Sequence, residues 1–81
     1  MNDAITKIIE RMESEADTEL LNGRNAGKLG AVQFAMAAHR ELWDARILNE
    51  GAATCEVISQ HTRNANHHIL SARDVLTYDP S

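Results

Sequence analysis

Four histidines, His39, His61, His67 and His68, are the side chains in this sequence with the most to offer a metal ion or a proton transfer. Two ligands on one helix reach a common ion only at a spacing of three or four residues. His61 and His68 are seven apart, about 10.5 Å along a helix axis. His67 and His68 are adjacent and diverge by about 100°. A shared ion would therefore need His39, or a second copy of the chain, to converge on one of them. The reading adopted is histidines hydrogen-bonded within a helical seam, with no metal and no cofactor. Imidazoles held neutral in such a seam charge as the solution is acidified, so packing or assembly is expected to loosen below about pH 6.

Other chemistry is weaker still. Cys55 is the single cysteine, which rules out an internal disulfide and any cysteine-based zinc ribbon. As a nucleophile it would need a base beside it, yet His61 is six residues on and on another helix face, and Ser59 has no acid–base partner. A buried or half-buried thiol is expected. Residues 23–30, Gly-Arg-Asn-Ala-Gly-Lys-Leu-Gly, imitate a phosphate loop but fail in three ways. The spacing is one residue short, Leu29 stands where a hydroxyl is required, and a helix precedes it in place of a strand. A reduced version survives as a secondary reading, in which Arg24 and Lys28 hold an anion or nucleotide at the start of a helix. Glu41 and Asp44 share a helix face, with Arg40 and Arg46 near enough to make solvated ion pairs. No acid, base and electrostatic stabiliser can be assembled together, so an enzyme is not expected.

The charge is uneven. Of twelve acids and eight lysines and arginines, residues 1–21 hold six acids (Asp3, Glu10, Glu13, Glu15, Asp17 and Glu19) against Lys7 and Arg11. The rest of the chain balances at six and six. A concentrated basic face is missing, so nucleic acid is not expected as a direct ligand. Glu10, Glu13, Glu15, Asp17 and Glu19 are the candidate contacts for a basic protein partner. Charge reversal at Glu13 and Asp17 is then expected to abolish capture without unfolding the chain.

The elements that must position these groups are helices. Alanine, leucine, glutamate and arginine are abundant, aromatics are 4%, and Pro80 is the lone proline, a composition with nothing of a strand in it. Residues 2–21 place Ile5, Ile8, Ile9, Met12, Ala16, Leu20 and Leu21 at spacings of three and four, with Asn2 or Asp3 as cap, an Asp3–Lys7 pair, and Gly23 as a left-handed stop. Residues 25–49 form a second, longer helix of about 36 Å, capped by Asn25 and stopped by Gly51. It carries one stripe of Leu29, Val32, Met36, His39, Trp43 and Ile47, and beside it another of Phe34, Ala35, Ala38, Leu42, Ala45 and Leu48. Residues 52–76 form the third, with a heptad-like seam of Ile58, His61, Ala65, His68, Ala72 and Val75. Its middle, Thr62 to Asn66, is locally weak but is read as continuous. Residues 77–81 are a tail.

An 81-residue chain is one domain with a marginal core of its own. The expectation is an all-α three-helix bundle with long second and third helices, completed by dimerisation. Met36, His39, Trp43, Ile58, His61 and His68 are the oligomer or core seam. No apolar run spans a bilayer and no leader pattern is present, so a soluble cytoplasmic protein is expected. The expected function is a non-enzymatic interaction module, a regulator, inhibitor or adaptor, that works as a homodimer on a heterologous protein partner.

Overall fold

The computed structural model describes residues 2–78. Of the expected tail, residues 77–81, Thr77 instead ends the third helix and Tyr78 caps it; Asp79, Pro80 and Ser81 lie outside the described residues. Three helices, α1 (Asp3–Ala26), α2 (Leu29–Glu50) and α3 (Cys55–Thr77), run up, down and up. They form a rod of 48 × 18 × 16 Å. The all-α bundle is as expected, but the helices are nearly equal, at 24, 22 and 23 residues, because α1 runs five residues past its expected end.

Two glycines explain the extension. Gly23 does not stop α1; it is buried where α1 crosses the start of α2, and a Cβ there would meet Val32 Cγ2 at 3.0 Å and the Val32 amide nitrogen at 3.1 Å. Its missing side chain is what lets the two backbones approach. Gly27 makes the stop instead, at φ 66°, with its amide on Arg24 O and that of Lys28 on Gly23 O, a Schellman-type closure that favours glycine. Asn25 is therefore inside α1, and Lys28 precedes α2 without a side-chain cap.

The other termini follow side-chain chemistry. Asn2 Oδ1 accepts from the amides of Ala4 (3.0 Å) and Ile5 (3.2 Å), and Thr54 accepts from the Val57 amide at 3.4 Å, both as N-caps. The Asp3–Lys7 pair does not form; Arg11 and Glu15, 3.7 Å apart, are the i,i+4 pair instead. Gly51 ends α2 but at φ −81°. The left-handed position falls on Ala52 at φ 59°, where a Cβ costs about 1–2 kcal/mol. Ala52 is exposed, so Ala52→Gly loses little packing. It should raise stability by about 0.5–1 kcal/mol once glycine's extra chain entropy is subtracted, as read by urea denaturation.

α3 is continuous through its weak middle. Ala65 is fully buried there, and Gln60 Nε2 donates to Asn64 Oδ1 at 3.0 Å, so tertiary burial and a local side-chain bond outweigh poor propensity.

The core is small-sided. Ala16, Ala31, Ala35, Ala38, Ala45, Ala65 and Ala72 are fully buried, alongside Ile9, Met12, Leu42, Ile58 and Ile69. Alanine lets helices pack closely but removes little apolar area from water. At the end of the rod, Asn49 is only 4% exposed. It accepts from the Asn2 amide at 3.1 Å and donates to Thr6 Oγ1 at 2.9 Å, which fastens the start of α1 to the end of α2.

Candidate functional site

Of the two stripes on α2, the bundle buries most of the second: Ala35, Ala38, Leu42 and Ala45 are fully enclosed, as is Ala31 beside them, Leu48 is partly buried and Phe34 is 37% exposed, whereas Leu29 is 68%, Met36 57%, Trp43 61% and Ile47 49% exposed. These four sit at intervals of seven, seven and four, so they line up along nearly the whole helix, over about 27 Å. Val32 and His39 continue the stripe toward α1, both partly buried. The result is a straight row of exposed apolar side chains on the side of α2 turned away from the core, with Gln33 and Arg40 set between them.

The expected seam therefore divides. Ile58 is in the core. Met36 and Trp43 are outside it. His39, His61 and His68 are each partly buried at helix boundaries. His61 Nδ1 lies 2.7 Å from Glu41 Oε2 across the α2–α3 boundary. Asp17 Oδ1 lies 2.8 Å from His39 Nε2, out of line for a hydrogen bond. His68 stacks on Phe34 with ring centroids 6.4 Å apart, and its Nδ1 is buried with no hydrogen-bond partner among the described residues. Among the described residues His61 is thus hydrogen-bonded at a helix boundary, whereas His39 Nε2 and His68 Nδ1 are buried with no hydrogen-bond partner.

The acids of α1 are engaged with the other two helices. Arg46 on α2 donates to Glu13. Arg73 on α3 donates to Glu19 and, at 3.4 Å, to Glu15. Glu19 is buried at 6% exposure, and Asn22 Nδ2 donates to its second oxygen at 3.1 Å. The hydrogen bond to Glu13, reinforced by that carboxylate's charge, holds Arg46 above its ordinary value; the bond to Glu19 does the same for Arg73 against the opposing effect of burial. Neither guanidinium is discharged by a moderate rise in pH. Of the five acids expected to meet a partner, Glu10 and Asp17 remain exposed, while Glu13, Glu15 and Glu19 are interhelical ties. Reversing Glu13 would set two positive charges against each other at Arg46, so that experiment would test folding together with capture.

The anion reading loses one of its two residues. Lys28 Nζ donates to the carbonyls of Val75 (3.2 Å), Leu76 (3.1 Å) and Tyr78 (3.2 Å), capping the negative end of α3. Arg24 and Lys28 both line a cleft of about 300 Å³ with Gly23, Gly27, Leu29 and Val32, but the Lys28 ammonium is committed to the α3 carbonyls. Cys55 is exposed at the first turn of α3, not buried as expected. Among the described residues, no helix is long and apolar enough to cross a membrane.

No protein-family model, curated protein or solved structure matches the chain. The interhelical ion pairs escaped the sequence reading. The ties of Arg46 and Arg73 join residues 33 to 58 positions apart, and no local pattern marks them. Glu41 and Asp44, by contrast, gave a local signal in their i,i+3 spacing, but they face α3 and leave Arg40 and Arg46 unpaired to them.

Proposed function

We propose that this chain is a non-enzymatic interaction module whose working surface is the outer face of α2, and that the occupant of that face is a second copy of the chain. One observation carries the reading: Leu29, Met36, Trp43 and Ile47 stand in line and half to two-thirds exposed, while the core beneath them is mostly alanine. The face is self-complementary. In an antiparallel two-fold pairing of α2 with its copy, Leu29 falls opposite Ile47, Met36 opposite the stem of Arg40, and Trp43 opposite Gln33. Each apolar side chain then meets another apolar group or a long polar one on an exposed position, as an isologous interface requires.

The energetics fit a reversible pair. Covering each of these half-exposed side chains recovers about 1–2 kcal/mol, so eight of them supply on the order of 12 kcal/mol in gross terms. Association and side-chain ordering take back about 4 kcal/mol or more, which puts the dissociation constant near the micromolar range.

Sedimentation velocity from about 1 to 200 µM brackets that value. The expected result is a concentration-dependent dimer that Met36→Glu with Trp43→Glu converts to monomer without loss of helical circular dichroism. A wild-type chain that stays monomeric throughout, or a double variant that still dimerises, overturns the self-pairing. In the first case, the face would be left for a heterologous chain.

A further inference from the structure

We propose that Glu41, Asp44 and His61 form a binding site for one divalent first-row transition cation of the zinc class, fastening α2 to α3. None of the three residues belongs to the Leu29–Ile47 stripe, although Asp44 is one turn from Ile47 on α2, so the site can form with or without the pairing proposed above.

Each of the three residues offers a ligand atom, and the three atoms all lie within 4.8 Å of one another. The fold brings them together in two steps. Glu41 and Asp44 are one turn apart on α2, on the same helix face, and α3 runs antiparallel alongside, delivering His61 Nδ1 to 2.7 Å from Glu41 Oε2. A tetrahedral zinc ion with bonds of about 2.0–2.2 Å sets its ligands about 3.4 Å apart. Asp44 is exposed, so its carboxylate is free to close the remaining gap by rotation about its side-chain bonds. Three protein ligands leave a fourth position for water.

The charge supports a cation. Two carboxylates and a neutral imidazole present a charge of −2, and no lysine or arginine lies within 4.0 Å of either carboxylate among the described residues. Imidazole with carboxylate suits zinc, cobalt and nickel ahead of magnesium and calcium, which take all-oxygen shells. On binding, the ion displaces the hydrogen bond between His61 and Glu41, and His61 enters as the neutral ligand. The ion ties together two helices that, among the described residues, otherwise meet here through that one polar side-chain contact.

The test is isothermal titration of the full chain with zinc chloride in a buffer free of chelators, with cobalt(II) visible absorption as a second readout. The expected result is one ion per chain with a dissociation constant of about 10 µM or tighter, tetrahedral cobalt bands, and a rise of several degrees in Tm with zinc. His61→Ala and Asp44→Asn should each weaken binding by about tenfold or more, with helical circular dichroism confirming that they fold. Asp44→Asn is at an exposed position and keeps the test valid if His61→Ala does not fold. Cys55→Ser and His67→Ala, which remove the exposed thiol and an exposed imidazole, should change nothing. The proposal is overturned if the wild-type chain takes up no zinc at about 200 µM. It is equally overturned if uptake survives Asp44→Asn unchanged or is lost with Cys55 or His67; His61 and Glu41 would then be a hydrogen-bonded pair and nothing more.

Discussion

Replacing Arg73 with methionine is expected to destabilise the bundle by about 3 kcal/mol, more than removing both partners of the same ion pair. The reason is where the charge is left. Glu19 has an 8% exposed side chain and accepts from Arg73 Nε on one oxygen and from Asn22 Nδ2 on the other. Without the guanidinium, a carboxylate remains inside the α1–α3 boundary with one neutral donor. Such orphaned charges cost about 3–5 kcal/mol in well-buried pairs. The lower end applies here, because the Arg73 side chain is 43% exposed and water can reach part of the gap it leaves. Glu19→Leu with Arg73→Met replaces the pair with apolar surface and should fall within about 1 kcal/mol of the wild type. For a domain this size, 3 kcal/mol is about 12–24 °C in Tm. The measurement is a double-mutant cycle by urea denaturation at one fixed protein concentration, since self-association would make the midpoint concentration-dependent. If Arg73→Met costs less than the double variant, Glu19 is satisfied by water and the pair is a surface contact.

The number of helices, their approximate spans and the amphipathic register of α1 were all legible in the order of apolar residues, because a period of 3.6 leaves few alternatives over twenty residues. The choice between the two stripes of α2 was not. Hydrophobicity alone favours burying Leu29, Met36 and Trp43, yet the fold buries Ala31, Ala35 and Ala38. Close approach of three helix backbones rewards small side chains, and that advantage exists only once the neighbours are in place. The acids of α1 misled for a related reason. As a local pattern they are a solvated face, and they become ties only through Arg46 and Arg73, which arrive from other helices. The candidate cation site shows the same division. The i,i+3 carboxylates could be seen on one helix, but His61 was weighed against other histidines, and the ligand it meets is on α2.

Gly23 offers the sharpest test of that packing. A Cβ built there stands 3.0 Å from Val32 Cγ2, 3.1 Å from the Val32 amide nitrogen and 3.2 Å from Ala31 Cβ. One of the three is a flexible side-chain methyl; the second is backbone and the third is fixed to it. Gly23→Ala gains about 1 kcal/mol in helix propensity and loses about 1–3 kcal/mol to overpacking, so a net loss of about 1 kcal/mol is expected. Gly23→Leu has no such compensation. Its added carbons extend into the same contact, and α1 must move away from α2 near Ala31 and Val32, for a loss of about 3 kcal/mol or more. Total stability for a chain of this length is about 4–12 kcal/mol, so the leucine variant should melt far below the wild type. It should also lose amide protection first at the α1–α2 turn. At Gly27 the cost of substitution has a different cause. Among the described residues nothing lies within 4 Å of a Cβ there, but φ is +66°. Gly27→Ala and Gly27→Leu should therefore each lose about 1–2 kcal/mol, with no dependence on side-chain size. A size-dependent loss at Gly23 and a size-independent one at Gly27, read by thermal and urea melts, would separate a glycine kept for close approach from one kept for its backbone angle; equal losses at Gly23 would mean the helices part there without strain.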